Sequence, residues 1–480
     1  MRRRSGARGR VSRACRQHHP MGSIARDWSA RSQKKDRPRP SPIAGSEAFF
    51  TAAFERHLRW QRGQLARAAS RQTLPRFLVL RPGDKLTVCD AKGMTDVRAH
   101  CYRATSPSHR RPDGAHWDVH MLDGKNHLSR PVPGLGNIAL SLAAAAATAI
   151  ASRRVLLLEN VSHVGSASFG APLTELLVET SGWAPYLQRA VAIGVADGFA
   201  AHDDFSSFET LCASDLRRTP AARVWRLFSN QYFLPLLLLN PHHQSTVEAM
   251  AEPLQVANAG AAYAPSLWTP AVRALWRPAT RLVARIDAFR RSSQLDAGPY
   301  VAMHIRVNFA DQSERSRKLE SAIECARSRL RASNSSRLFL ATMFASNRHA
   351  IQAALQPNGI SVHWFGKSME AQAESTASSD SALADMLLMG GAREVLVTPG
   401  STFGYVVQGL AGRRATLYGG THTSRDLVGP AARDCSAVRT SEPNFHFLRH
   451  ALSRYAACRL GAQEARKRGS VIYRLSAMQH

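Results

Sequence analysis

The sequence predicts an α/β protein whose second half folds as a Rossmann-like parallel sheet. Three observations lead there. From Gly298 onward, short apolar runs alternate with helix-like ones at the spacing of right-handed strand, helix, strand crossovers. Around Gly134 a loop, helix, strand unit stands out. The 480 residues, 44% hydrophobic and 21% charged, have the usual globular mix and the length of two or three domains. That composition excludes collagen-like, coiled-coil and wholly disordered architectures.

Met1 to Pro40 is rich in Arg, Ser and Pro, with Arg2, Arg3, Arg4, Arg8 and Arg10 at its front and almost no apolar periodicity, so residues 1–45 are expected to be a disordered basic tail. An Arg-rich, acid-poor leader also suits a transit peptide or a juxtamembrane stub. Glu47 to Arg71 places Phe50, Phe54, Leu58 and Leu65 at helical intervals, which predicts an amphipathic helix. Residues 72–130 give only strand-like runs, Phe77–Leu80 and Leu86–Cys89, between polar loops.

Gly134-Leu135-Gly136-Asn137 reads as a turn, followed by an Ala-rich helix to Ser152 and a buried strand over Arg154–Leu158. Gln231–Asn240 is a compact apolar run closed by Pro241. The second half is read as strands at Tyr300–Val307, Leu338–Met343, Ser361–Phe365, Val395–Thr398 and Ala415–Tyr418. Helices are expected at Glu314–Ala332, Ser346–Leu355, Ser381–Met389 and Thr402–Leu410. Domain boundaries follow: 46–290 as a first lobe, 291–440 as a second, and 441–480 as a C-terminal helical segment.

The net charge of +29 points to phosphate-bearing or polyanionic ligands, although residues 1–40 alone carry 13 basic against 2 acidic side chains. Nothing matches the roughly 20 uninterrupted apolar residues that a membrane helix needs. Leu135–Ala151 is mostly alanine and favours a buried helix, and Tyr232–Leu239 is too short. Seven scattered cysteines lack the close pairs of a metal site. Asn160-Val161-Ser162 and Asn334-Ser335-Ser336 fit the glycosylation sequon, which occurs by chance in chains of this length.

Two strand ends carry the chemistry. His304-Ile305-Arg306 closes one strand, and Pro399-Gly400-Ser401-Thr402-Phe403-Gly404-Tyr405 joins another to a helix. The second offers glycines for close backbone approach, hydroxyls at a helix cap and outward-pointing amides, the ingredients of an anion site. It has no P-loop lysine and no dinucleotide fingerprint, so a sugar diphosphate nucleotide fits better than ATP or NAD. Arg306 would add a fixed charge and a two-pronged fork for the same phosphates. His304, ending a buried strand, is read first as a core residue, and Asp385, one helix ahead of the glycine loop, as a group that can hydrogen-bond the nucleoside. Asp203-Asp204 is read as surface.

Ser401-Thr402-Phe403-Gly404-Tyr405-Val406-Val407-Gln408-Gly409-Leu410-Ala411-Gly412 resembles the hallmark segment of the plant fucosyltransferases of glycosyltransferase family 37, the xyloglucan fucosyltransferases. Ala382–Leu388 with Arg393–Thr398, Gly134–Asn137 with Arg153–Leu158, and Ser229–Pro235 resemble further family segments in the family's order, so the likeness runs from about residue 130 to about residue 446. Departures are Ile138 where the family has Arg, Glu159 where it has Asp, and Asn444 where it has Cys, which leaves Cys435 without its family partner.

The resemblance implies two Rossmann-like lobes facing a cleft, the GT-B fold, with the acceptor lobe first and the GDP-fucose lobe second. It implies an inverting, metal-independent transfer of fucose, without cofactors, to a galactose 2-hydroxyl of a cell-wall or glycoprotein glycan in the Golgi. The donor-binding residues expected are Gly134, Gly136, Asn137, His304, Arg306, Asp385, Ser401, Thr402, Phe403, Gly404 and Tyr405, with Arg306 stabilising the leaving group and the general base unassigned. The implied partners are GDP-fucose, a galactose-containing glycan and a homodimer, with no nucleic acid. Three alternatives stay open: a GDP-sugar-binding relative without transfer, fucosylation of a protein or N-glycan, and a basic nucleic-acid-binding protein, which the single tail aromatic Trp28 disfavours.

Overall fold

The computed structural model describes residues 48–69, 75–82, 88–89, 119–122, 125–128, 134–159, 168–178, 187, 190–195, 206–218, 223–229, 232–251, 266–306, 312–366, 376–419, 435–438, 442–443 and 456–467. The basic tail, Asp203-Asp204, Asn160 and Asn444 lie outside the described residues.

Helix α1 (Ala48–Ala69) buries Phe50, Phe54 and Leu58, four residues apart, as the spacing predicts. It leads into β1 (Phe77–Pro82), and β2 (Val88–Cys89), β3 (Val119–Leu122) and β4 (Lys125–Leu128) form a small antiparallel sheet. Helix α2 (Leu135–Ser152) runs into β5 (Val155–Leu158), followed by β6 (Ala190–Val195), α3 (Ser206–Ala213) and β7 (Val224–Ser229). Strands β1, β5, β6 and β7 make a parallel sheet ordered β5-β1-β7-β6. At its β5 edge the Gln61 amide meets both backbone groups of Leu156, donating to the carbonyl and accepting from the N–H, each at 3.1 Å. The edge strand is thereby covered and α1 fixed to it.

Alanine makes α2 a slim rod that lies inside the protein. Its length and composition would suit a membrane crossing, but it is buried among the other elements. Its hydroxyls are satisfied within the helix: Thr148 Oγ1 donates to the Ala144 carbonyl at 2.8 Å and Ser152 Oγ to that of Thr148 at 2.6 Å. The structure corrects the expected turn at Gly134–Asn137, because only Gly134 precedes the helix and Leu135, Gly136 and Asn137 form its first turn. The amides of Asn137 and Ile138 close back on the Gly134 carbonyl, so the segment continues as helix.

The connecting helices are α4 (Leu234–Leu239), α5 (Gln244–Glu248), α6 (Trp268–Leu275) and α7 (Thr280–Ser292). The second half follows the predicted alternation: β8 (Val301–Ile305), α8 (Gln312–Ala332), β9 (Arg337–Thr342), α9 (Ala345–Leu355), β10 (Ser361–His363), α10 (Thr376–Gly390), β11 (Glu394–Val397), α11 (Thr402–Ala411), β12 (Thr416–Leu417) and β13 (Ser436–Ala437). The sheet order is β10-β9-β8-β11-β12-β13, parallel except for the last pair. Order reverses about β8, which lies between β9 and β11, so a crevice is expected at the carboxyl ends of these strands.

The two halves share one apolar core. Helix α11 packs on α2 and α6, and residues from Phe50 through Trp268 to Val407 belong to a single cluster. The terminal helix α12 (Ala456–Lys467) returns to the first half, packing on α3 and α4 with a Cys212–Cys458 disulfide. A second disulfide joins Cys325 on α8 to Cys435 beside β13, which corrects the expectation that Cys435 has no partner. Cys325 thus ties α8 to the sheet edge.

Candidate donor-binding site

The site forms where β8, β11 and β12 end side by side. His304 pairs in register with Val397, and Val397 with Leu417, so Arg306, Thr398 and Tyr418 emerge next to one another. Neighbouring strands thus carry the two segments that sequence singled out.

Thr398 begins the turn into α11. Its carbonyl accepts from the Ser401 amide at 3.3 Å, and Gly400 takes φ +71°, a left-handed conformation that favours glycine. Ser401 then occupies the helix cap. The structure corrects the expected hydroxyl cap: Ser401 Oγ makes no capping bond and is buried without a hydrogen-bond partner. The first-turn amides of a 10-residue helix therefore stand without a side-chain acceptor, and their dipole favours an anion.

His304 lies against this turn. Its ring stacks on Phe403 with centroids 4.5 Å apart and planes 13° from parallel. Burial, followed by the charge of Arg306, pushes the imidazole down to about 3, so it is neutral at physiological pH and a poor proton acceptor. Its Nδ1 is buried with no partner. The Arg306 guanidinium is partly desolvated by its surroundings, which lowers its pKa from the ordinary arginine value, while the residue as a whole keeps an exposed side.

The glycines divide by role. A Cβ at Gly136 would come within 2.6–2.7 Å of Thr402 and Phe403 backbone atoms, so this glycine lets the start of α2 touch the start of α11. Gly404 likewise faces Val397, where a Cβ would lie 3.0 Å from the valine side chain. Gly134 has open space around its missing Cβ, and Asn137 is half-buried on the first turn of α2. Tyr405 takes part through its backbone, accepting a 2.6 Å hydrogen bond from the Trp268 indole.

Asp385 lies apart from this turn, on α10. Burial pushes its carboxyl well above the ordinary range, the charge of Arg348 opposes the shift, and Oδ1 has no hydrogen-bond partner. Arg348 is the residue that sequence reasoning missed. It donates to the carbonyls of Thr342 at the end of β9 and Gly366 beyond β10, and lies over the Trp364 ring. A buried Arg at the carboxyl end of β9, near an Asp on α10 whose Oδ1 is buried, can hold a polar planar group such as a nucleobase. An isolated Arg in an otherwise ordinary helix gave no such signal.

Among the described residues no group of His, Cys, Asp and Glu is placed to hold a metal ion.

The two larger sheets with their helices form a GT-B fold. Over 88% of this chain and 88% of the other it superposes on the GDP complex of an Arabidopsis thaliana FUT1 mutant, with 13% identity and a TM-score of 0.51. The crystal structure of fucosyltransferase NodZ from Bradyrhizobium aligns with 70% of this chain and 93% of its own, at 14% identity and a TM-score of 0.40. No curated protein matches in sequence. The family profile described as xyloglucan fucosyltransferase matches residues 347–450, which contain Asp385 and the whole β11–α11 turn. Over that stretch the chain is similar to the xyloglucan fucosyltransferases, the family its motifs resemble.

Proposed function

We propose that this protein transfers fucose from GDP-fucose, with inversion and without a metal, to a hydroxyl of a galactose-containing glycan, and that it works in the Golgi. In this reading residues 291–440 hold the donor and residues 46–290 face the acceptor. The acceptor oxygen attacks the anomeric carbon of fucose as the bond from that carbon to the diphosphate breaks, and the hydroxyl proton passes to a base. Negative charge grows on GDP, where Arg306 and the α11 amides stabilise it.

One observation carries the reading. Two buried polar atoms without partners, His304 Nδ1 and Ser401 Oγ, stand beside the uncapped amino end of α11, with Arg306 two residues from His304. Buried polar groups normally find partners, and a diphosphate supplies acceptors for such a cluster. Arg348 and Asp385 would take the base. Burial and the charge of Arg306 make the His304 imidazole a weak base.

Calorimetric titration of the full chain with GDP and GDP-fucose, without added metal, tests this. Saturable binding is expected, and Arg306→Ala should weaken it by about ten- to hundredfold, the loss of charge-assisted hydrogen bonds. No GDP binding by a folded, monodisperse sample would overturn the reading.

A further inference from the structure

Thr398 sits between the two parts of the candidate site. Its carbonyl fixes the turn to Ser401, and its hydroxyl accepts from the backbone N–H of Arg306 at 2.9 Å. The same oxygen lies 3.2 Å from the His304 carbonyl and 2.9 Å from the Tyr418 hydroxyl, and Tyr418 itself reaches that carbonyl. The protons balance. Tyr418 donates to the His304 carbonyl, the Thr398 proton is shared between that carbonyl and the Tyr418 oxygen, and a Thr398 lone pair takes the Arg306 amide.

Tyr418 is buried, and burial drives its phenol well above the ordinary tyrosine value, so it remains a donor at any physiological pH. Three adjacent strand ends, β8, β11 and β12, are thereby tied by one hydroxyl pair at the point where β8 pairing stops. Arg306 lies one residue past the end of β8, and the Thr398 hydroxyl accepts its amide where the ladder no longer runs.

We infer that Thr398, supported by Tyr418, is a positioning residue that sets the backbone at Arg306 relative to the amino end of α11, so that charge and amides meet the same diphosphate. This rests on the donor-binding reading above. Thr398→Val keeps the shape and removes the bridge, depriving the Arg306 amide of this acceptor.

The test measures GDP affinity by calorimetry and thermal stability together, in wild type, Thr398→Val, Thr398→Ser and Tyr418→Phe. Thr398→Val should weaken GDP binding by about tenfold. Thr398→Ser, which keeps the oxygen, should recover most of the affinity, and Tyr418→Phe should weaken it by a few fold. Both effects should vanish in an Arg306→Ala background, since the network then has no guanidinium to place. If Thr398→Val and Tyr418→Phe lower the melting temperature but bind GDP like wild type, the positioning role is overturned while the donor reading stands. Should Thr398→Val not fold, unchanged affinity in Tyr418→Phe overturns it instead. Absent GDP binding in wild type would mark failure of the donor reading itself.

Discussion

The two larger sheets are both built from strands joined through helices but differ in how far apart in sequence their neighbours lie. In the second half, β9 follows β8 and β10 follows β9, each through a single helix, while β11 returns to β8 and pairs His304 with Val397. In the first half, β1 lies between two strands that come much later, pairing Phe77 with both Val155 and Val224. The difference bears on where the candidate site lies. Short crossovers leave the strand ends of the second sheet free to carry His304, Arg306 and Thr398. The first sheet supplies a scaffold whose helix α2 presses on the start of α11.

Substitutions can break that division, and the largest effect is expected at Glu442. Its carboxylate is buried and accepts from Ser266, the amides of Leu267 and Trp268, and Tyr232, at 2.6–3.0 Å. It therefore pins the start of α6, whose Trp268 holds α11. Glu442→Ala should cost about 3–5 kcal/mol in denaturant melts by stranding several buried donors, and Glu442→Gln much less. A small loss in the alanine variant would mean that the halves are held together elsewhere.

Gly136→Ala comes next. Its Cβ would collide with the α11 backbone, so a loss of roughly 1–3 kcal/mol is expected together with weaker GDP binding, because the contact belongs to both halves. Gly134→Ala, with open space, should leave stability within about 0.5 kcal/mol. Equal behaviour of the two variants would contradict the close approach.

The smallest effect is in pH. In the first half burial pushes His57 and His243 down to about 4. Unfolded, each binds a proton near its ordinary value of about 6.5, so the unfolded chain binds more protons and stability falls as pH drops from about 6.5 towards 4. Glu442 and Asp385 are raised by burial and slope the opposite way, so the contrast with a variant isolates the histidine. Melting temperatures between pH 7 and pH 5 should fall less in His57→Gln than in wild type. A parallel pair of curves would remove His57 from the account.

Legibility followed the same division. Helix Thr402–Ala411 and strand Val301–Ile305 were readable because periodicity and turn residues are local signals. The Thr398 network was not, since a threonine ending a strand looks the same whether or not a tyrosine 20 residues later meets it. Nor was the role of Gly136, which reads as a flexible turn until another helix arrives at its Cα. The cysteine pairing escaped for the same reason, with 110 residues between Cys325 and Cys435.

By itself, then, the sequence determined the α/β class, the strand and helix succession of the second half and the segment that resembles the fucosyltransferase hallmark, because each is encoded in residues close together in the chain. Only the tertiary structure decided that α2 meets α11, that Glu442 locks α6 and that Thr398 bridges to Arg306. Those contacts join residues as distant in the chain as Gly136 and Thr402, and their energies depend on burial, close approach and hydrogen-bond geometry that exist only once the sheets have packed.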